Sequence, residues 1–336
     1  MISITMFNNK GGVGKTTFLC NLASFMKKRL QKKVLVIDAD PQCNATIYLL
    51  KSDTVFKIYT KKEALTVDSF FDSLRKGKGY LKESVSPVRS PRFEVDLIPG
   101  DPKLALSEDL LASDWKSGSS GGDPRGLQTT FVFRDLIERF DEYDYVFFDV
   151  GPSLGAINRS VLISSDFFLM PMASDIFSLM AISNISLSLT KWKKGLAKGL
   201  SDYKADESEP FKVNGSAVSW RLEFIGYVSQ QYTAKTVKGQ RQPVKAYEQI
   251  IRKAPKLIER ELIKKFSTLP AGTKYNLGEI PYLHSVVPLS QSANAPIFDL
   301  KARDGVVGSH FAKVGDAEKI YEKIANNLIA NIGRKS

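Results

Sequence analysis

The chain has 336 residues, of which 43% are hydrophobic and 25% are charged. That length and composition allow a sizeable buried core and exclude an intrinsically disordered chain. Two cysteines, Cys20 and Cys43, are too few for a disulfide framework. Neither a signal-peptide pattern nor an apolar run of roughly 18 residues is present, so we expect a cytoplasmic protein. A net charge of +12 favours a polyanionic partner, either nucleic acid or an anionic membrane surface.

The first predicted strand, Ile2 to Phe7, leads into the segment KGGVGKTT at Lys10–Thr17, and a helical pattern follows from Phe18 to Leu30. This context matches the phosphate-binding loop GxxxxGK[ST], with Lys10 in place of the first glycine. Glycines let successive backbone N–H groups point at phosphate oxygens, and the helix adds its positive N-terminal end. The residues expected to bind a nucleotide here are Lys10, Gly11, Gly12, Val13, Gly14, Lys15, Thr16 and Thr17.

Within this loop, we expect Lys15 to reach the β- and γ-phosphates and the Thr16 hydroxyl to coordinate Mg²⁺. The next apolar strand, from Val34, ends in the sequence DADPQCN, which begins at Asp38 and includes Asp40. Ligand sites in open α/β sheets form at the carboxyl ends of the strands. Both acids are therefore expected beside the phosphate-binding loop.

KGGVGKTT and DADPQCN resemble two motifs of the ParA/MinD family of deviant Walker-A ATPases, in which the second is usually written D-x-D-P-Q-x-N. The segment YVFFDVGPS, which starts at Tyr145, is similar to the family's Walker-B motif. It departs from the family at Gly151, where the first of two prolines usually stands. The resemblance implies ATP and Mg²⁺ as ligands and an ATP-dependent homodimer, in which Lys10 reaches the partner's phosphates.

The same resemblance assigns roles to individual residues. It implies that Asp40 orients the attacking water, that Asp38 lies near the magnesium ion, and that Asp149 holds the ion through a water molecule. Catalytic roles thus fall on Lys10, Lys15 and Asp40, and metal-binding roles on Thr16, Asp38 and Asp149. A later segment, from Ile280, is similar to the one that closes over the adenine in the family, which gives base contacts to Pro281.

Strand and helix patterns alternate along the rest of the chain, as is typical of a mostly parallel sheet with helices on both faces. The predicted strands are 93–99, 145–149, 166–171, 222–229 and 276–280, and the predicted helices are 102–112, 127–140, 176–193, 244–266 and 315–332. We expect an α/β fold of the P-loop NTPase, deviant Walker-A type, in a single domain over residues 1–336. Insertions are expected near 51–92, 113–126 and 195–219, with the Gly/Ser run at 117–122 as a mobile loop.

Positive charge is concentrated between Gln231 and Lys265, where ten basic residues stand against three acidic ones. One exposed strip of this kind would bind phosphate backbones without reading their sequence. The residues predicted to contact DNA are Lys235, Lys238, Arg241, Lys245, Arg252, Lys256 and Arg260. Lysines between 191 and 204 form a second candidate cluster, and a solvated helix face is the alternative for both.

Together, the resemblance and the charge favour an ATPase that dimerises with ATP, binds non-specific DNA and partitions or positions a cargo, as in plasmid or chromosome segregation. Such a protein would hydrolyse ATP slowly alone, associate with the nucleoid and have a ParB-like stimulating partner. The alternatives are a MinD-like membrane-surface switch, a metabolic or metal-cluster enzyme of the superfamily, and a regulatory or defence ATPase. The last predicted helix has core spacing rather than an amphipathic anchor, which disfavours the membrane switch. Since the first strand opens the sequence, we expect no operator-binding helix-turn-helix before it.

Overall fold

A mostly parallel β-sheet forms the centre of the fold. The computed structural model describes the whole chain except residues 62–63, 174, 231–234, 238–239, 243–252, 282, 284 and 336. Its strands are β1 (Ile2–Met6), β2 (Val34–Asp38), β3 (Val88–Arg89), β4 (Asp96–Ile98), β5 (Tyr145–Asp149), β6 (Phe167–Ala173), β7 (Lys212–Val213), β8 (Ser216–Ala217), β9 (Glu223–Gln230), β10 (Lys235–Val237), β11 (Gln240–Gln242) and β12 (Asn276–Ile280). Eight of them form one sheet in the order β12-β9-β6-β1-β5-β2-β4-β3, and only the β3–β4 pair within it is antiparallel. The predicted fold class is confirmed.

Successive strand residues point to two apolar layers on opposite faces of this sheet. Ile4 and Met6 of β1 lie in one layer, whereas Leu35 and Ile37 of β2 lie in the other. The strands are buried on both faces, which explains their nearly continuous apolar sequences.

Helices cover both faces of the sheet. They are α1 (Lys15–Leu30), α2 (Asn44–Leu49), α3 (Ser52–Lys61), α4 (Ser69–Arg75), α5 (Glu108–Gly121), α6 (Pro124–Thr130), α7 (Val132–Glu138), α8 (Ala156–Ser164), α9 (Ile176–Glu207), α10 (described over residues 253–266), α11 (Val287–Ala293) and α12 (His310–Gly333). The rings of Phe18 on α1 and Tyr321 on α12 stack with centroids 6.2 Å apart, so the last helix is part of the core as predicted. Of the helices described, none is long and apolar enough to cross a membrane.

Several predicted boundaries differ from the structure. The helix expected over 102–112 begins as a 3₁₀ helix at Pro102–Ser107 and continues as α5. The helix expected over 127–140 is divided into α6 and α7, and the one expected over 176–193 continues to Glu207 as α9. The segment 51–92, expected as an insertion, contains α3, α4 and β3.

The prediction of a mobile loop at the Gly/Ser run 117–122 is wrong, because most of that run forms the last turns of α5. Its small residues allow close helix contacts. A Cβ atom on Gly118 would lie 2.8 Å from the carbonyl carbon of Gly126 on α6, and one on Gly199 of α9 would overlap the carbonyl oxygen of Gly118. The composition that is typical of a loop therefore serves helix packing here.

We predict that Gly199→Ala lowers the free energy of unfolding, because the added methyl group has no room against α5. Overpacking of this kind costs about 1–3 kcal/mol. The matched control is Gly121→Ala on α5, where a Cβ atom would meet nothing within 4 Å. Urea unfolding of the two variants measures the difference, and equal midpoints would contradict the close contact.

Candidate nucleotide-binding site

A cavity of about 500 Å³ opens at the carboxyl ends of β1, β2 and β5. It is lined by Gly11, Gly12, Gly14, Lys15, Thr16, Thr17, Asp40, Asn44, Ile47, Tyr48, Val150, Pro152 and Gln291. Six of the eight residues predicted in the phosphate-binding loop are among them. The other two, Lys10 and Val13, do not line the cavity, and Val13 is buried in the core.

The loop between β1 and α1 has the backbone that its glycines permit. Gly12 and Gly14 have φ angles of +72° and +64°, a region that favours glycine, and Gly14 caps α1. Lys15 follows in the first turn, where its Nζ donates to the carbonyl oxygen of Lys10 at 3.2 Å. Burial lowers the pKa of Lys15, while the charges of Asp149 and Asp40 oppose that effect. A buried ammonium group of this kind is suited to an anionic ligand.

The side chain of Lys10 points toward α9 of its own chain. Its Nζ forms an ion pair with Asp175, and the two side chains are only 24% and 17% exposed. Asp175 also caps α9, since its Oδ1 accepts a hydrogen bond from the backbone N–H of Ser178 at 3.0 Å. Sequence reasoning does not find this pair, because its members lie 165 positions apart.

Two buried acids meet beneath the cavity, where β2 and β5 end side by side. Asp38 and Asp149 are register partners, and both side chains have no solvent exposure. Asp38 accepts hydrogen bonds from the backbone N–H and hydroxyl of Thr46 at 2.8 and 2.7 Å. Burial raises the pKa of Asp38 to about 6, although these hydrogen bonds act to lower it. Burial also raises the pKa of Asp149, and the nearby charge of Asp38 raises it further.

The residues predicted to hold magnesium differ in how many of their side-chain oxygens already form hydrogen bonds within the protein. Thr16 donates its hydroxyl to Asp149 Oδ2 at 2.7 Å, and Asp149 Oδ1 is buried without a hydrogen-bond partner among the described residues. Both oxygens of Asp38 accept hydrogen bonds, from Thr46 and from the N–H of Asp40. Thr16 and Asp149 therefore fit an Mg²⁺ site, and the expectation that Asp38 lies near the ion stays a prediction.

Protein groups alone would not complete such a metal site. Across the part of the chain that the structure describes, no three His, Cys, Asp or Glu residues are grouped to hold a metal ion. Mg²⁺ commonly binds one or two carboxylates together with phosphate oxygens and water. The arrangement at Thr16 and Asp149 is therefore suited to a metal that arrives with a phosphate ligand.

The loop between β5 and α8 is fixed by one buried asparagine. Asn158 Nδ2 donates to the carbonyl oxygens of Gly151 and Ser153 at 2.7 and 2.8 Å. The carboxylate of Glu108 accepts from the first N–H groups of α8, those of Ala156 and Ile157. These contacts hold a loop in which glycine replaces the proline that usually restricts φ in the family.

Gly151 also lies against the predicted catalytic acid. A Cβ atom at this position would be 3.2 Å from Oδ1 of Asp40, which lines the cavity and is 7% exposed. The smaller residue thus leaves room for the Asp40 carboxylate. Neither Asn158 nor Glu108 was found from the sequence, because neither lies in a motif.

The expected adenine contact at Pro281 stays a prediction. Pro281 is not among the lining residues of the cavity, whereas Ile47, Tyr48 and Gln291 are. Gln291 does belong to the segment that resembles the adenine-closing segment of the family, although ten positions later than Pro281. Asn44 also lines the cavity and lies within the DADPQCN motif.

The predicted DNA-contact residues are described only in part. Lys238, Lys245 and Arg252 lie outside the described residues, while the backbones of Lys235 and Arg241 form the antiparallel pair β10–β11. Lys256 and Arg260 are exposed on α10. The three cations that follow Lys256 on α10 are paired with its acids: Arg260 and Lys265 with Glu261, and Lys264 with Glu259.

Known sequences match the part of the chain that contains this site. A family model described as an AAA domain matches residues 1–201, more than half of the chain. The chromosome partitioning protein ParA of Myxococcus xanthus is 30% identical over 194 residues, which is 57% of this chain and 59% of that protein. The chromosome-partitioning ATPase Soj of Thermus thermophilus is 28% identical over 193 residues, 57% of this chain and 63% of its own length. This chain therefore spans less than two thirds of either relative.

Solved structures share the fold over more of the chain. The crystal structure of protein DIP2308 from Corynebacterium diphtheriae has a TM-score of 0.70 at 33% identity, covering 88% of this chain and 97% of that one. A putative plasmid partition protein of Borrelia burgdorferi, bound to AMPPNP, has a TM-score of 0.58 at 16% identity and covers 98% of both chains. An ATP complex of Cyanothece McdA has a TM-score of 0.57 at 17% identity, covering 98% of this chain and 96% of that one. At these identities, the last two show the fold alone.

We predict that Asn158→Ala lowers the ATP turnover number about tenfold, because neutral hydrogen bonds of about 1 kcal/mol each that hold the β5–α8 loop are lost. The KM for ATP should change little, since Asn158 does not line the cavity. A matched control is Asn331→Ala on α12, where Nδ2 donates to the carbonyl oxygens of Ile225 and Lys274, both at 3.0 Å. Steady-state phosphate release measures the turnover of both variants. Equal losses of turnover in the two would show that Asn158 acts only through the stability of the fold.

Proposed function

This chain belongs to the AAA-domain family matched above and, within it, to the ParA/MinD group of deviant Walker-A ATPases, and on that premise we propose that it is a partition ATPase. It binds ATP, dimerises, associates with non-specific DNA and partitions or positions a cargo. One observation carries the nucleotide part: Lys15 and Thr16 line one cavity, and the Thr16 hydroxyl donates to Asp149, whose buried Oδ1 has no hydrogen-bond partner among the described residues. That combination is suited to a phosphate chain with its magnesium ion.

The nucleotide is held by its phosphates and its base. Backbone N–H groups of the phosphate-binding loop and the Lys15 ammonium bind the phosphates. Thr16 and Asp149 hold Mg²⁺, which neutralises the negative charge of the phosphates. Ile47 and Tyr48 offer an apolar surface to the base, and the Gln291 amide offers a hydrogen bond. Pro281, which does not line the cavity, stays a predicted contact of the adenine.

Hydrolysis depends on Asp40 more than on the other acids. Asp40 is the carboxylate that lines the cavity, whereas Asp38 and Asp149 are fully buried beneath it. Asp40 orients the attacking water, and positioning rather than strong base chemistry lowers the barrier, so turnover without a partner is slow.

Dimerisation depends on Lys10. In the dimer, Lys10 leaves Asp175 and reaches the partner's phosphates, so that assembly requires ATP. The ion pair with Asp175 is the observation that supports this change, because it shows where the Lys10 charge is held in the single chain.

Partition requires further partners. The names of two relatives describe chromosome partitioning, and that role comes to this chain as part of the proposal. A DNA-bound dimer would associate with the nucleoid in the cytoplasm, and a ParB-like protein would stimulate its hydrolysis.

Two variants separate nucleotide binding from hydrolysis. We predict that Lys15→Ala abolishes ATP binding, whereas Asp40→Ala retains ATP binding and loses turnover, which traps the ATP-bound dimer. Binding of a fluorescent ATP analogue and phosphate release measure the two properties, with the exposed Lys103→Ala as a control outside the cavity. Near-normal ATP affinity in Lys15→Ala would contradict the phosphate-binding loop, and unchanged turnover in Asp40→Ala would move the water-orienting role to another residue.

The ion pair at Lys10 gives a separate prediction. Asp175→Asn keeps an oxygen that can cap α9 but removes the negative charge, so Lys10 is released. An ion pair of this exposure contributes about 1 kcal/mol or less, so the dimer dissociation constant with ATP should fall up to about fivefold. Analytical ultracentrifugation in the Asp40→Ala background measures it, with Lys10→Ala expected to remain monomeric. A parent Asp40→Ala protein that stays monomeric with ATP would exclude the dimer.

A further inference from the structure

We propose that the phosphate backbone of DNA contacts α9 at its basic half, defined here as Lys191, Lys194 and Lys198. This inference rests on the proposed function, which requires non-specific DNA binding, and it names the surface that performs it. The seven DNA-contact residues predicted from the sequence all lie outside α9. The argument comes from helix geometry, from the distribution of ion pairs and from the packing of α9.

The three lysines lie on one side of a long helix. At about 100° per residue, positions 191, 194 and 198 fall within about 60° of one another around the axis. All three are exposed, while Trp192, Leu196 and Gly199 on the opposite side are buried. With a rise of about 1.5 Å per residue they cover roughly 10 Å, a length over which duplex DNA presents about six phosphates.

The charge of this surface is less neutralised than that of α10. From Ile176 to Ser201 the sequence of α9 contains no acidic residue. Lys198 forms an ion pair with Asp202, but within the described part of the chain Lys191 and Lys194 form none. On α10, by contrast, three of the described cations are paired with Glu259 or Glu261. Unpaired lysines release more bound counterions from DNA, so the free energy of binding favours α9.

The lysines are also presented on a rigid support. α9 packs against α5 at the close contact of Gly199 with Gly118, and Lys198 Nζ donates to the carbonyl oxygen of Ser120 at 2.8 Å. At Ser186 it meets α10, whose Lys265 donates to the Ser186 hydroxyl at 3.1 Å. A helix fixed on two sides holds its charges in place before DNA binds, which lowers the entropic cost of binding.

An anionic membrane is the competing partner for a basic helix. α9 does expose Ile176, Met180 and Leu187 on the same side as the lysines. These apolar residues precede the lysines along the axis, whereas a helix that lies in a membrane surface separates the two kinds around its axis. The basic half therefore presents charge without an apolar face, as a phosphate-backbone site requires.

The experiment compares three charge-reversal pairs in the full-length protein. The test variant is Lys191→Glu with Lys194→Glu, and a second pair, Lys253→Glu with Lys256→Glu, tests α10. The matched control is Lys319→Glu with Lys323→Glu on α12, which packs on the other face of the sheet and exposes both lysines. Fluorescence anisotropy with a labelled random-sequence duplex, ATP and Mg²⁺ measures affinity at several salt concentrations, after thermal unfolding has shown that each variant is folded.

We expect the test variant to bind DNA about tenfold or more weakly, and to reduce the slope of log affinity against log salt by about 2, since each lost contact removes about 0.9. The control pair should bind like the parent. If the parent binds DNA and the test variant matches it in affinity and slope, this inference is overturned while the proposed function stands. A parent that binds anionic vesicles but no DNA would overturn both.

Discussion

Two buried carboxylates at the ends of neighbouring strands set the main physical constraint on this structure. Asp38 and Asp149 are register partners with no solvent exposure. Burial raises the pKa of both acids, and the charge of Asp38 adds to the rise at Asp149. Taking such groups out of water costs free energy unless donors or a cation accompany them. The residues around them are therefore arranged to supply donors from the protein and to leave one oxygen for a cation.

The donors come from the first turns of two helices. Thr46 on α2 donates hydrogen bonds from its backbone N–H and its hydroxyl to Asp38. The same hydroxyl oxygen accepts a hydrogen bond from the N–H of Gly100 at 2.8 Å. Thr16 on α1 donates its hydroxyl to Asp149. Because these contacts fix the starts of α1 and α2, the interactions that stabilise the acids also shape the cavity above them. The Oδ1 of Asp149 has no hydrogen-bond partner among the described residues, so it is the oxygen of this acid pair that could accept a cation.

The sequence predicts the parts of this site whose residues are close along the chain. The phosphate-binding loop and the acids after two strands follow from local spacing, and continuous apolar runs predict the buried strands. Contacts between distant segments leave no such pattern, which is why the pairing of Lys10 with Asp175 and the contact of Glu108 with the start of α8 emerge only in three dimensions. The Gly/Ser run at 117–122 misleads for a related reason. Its composition is typical of a loop, but tertiary packing against α9 makes small residues favourable in a helix.

One helix connects the nucleotide site to the basic surface proposed for DNA. α9 has 32 residues, so its axis is about 48 Å long. Its first turn is capped by Asp175, the partner of Lys10, and the lysines of its basic half lie four to six turns further on. Any change in the Asp175 contact therefore acts on the same rigid body that carries the lysines, because an unbroken helix transmits displacement along its axis with little loss. α10 does not offer this route, since its described residues contact α9 near the middle and do not line the cavity. Under the proposed function, a Lys10 that leaves Asp175 for a partner's phosphate would change a contact at the first turn of the helix that carries these lysines, and nucleotide state and DNA binding would be coupled through α9.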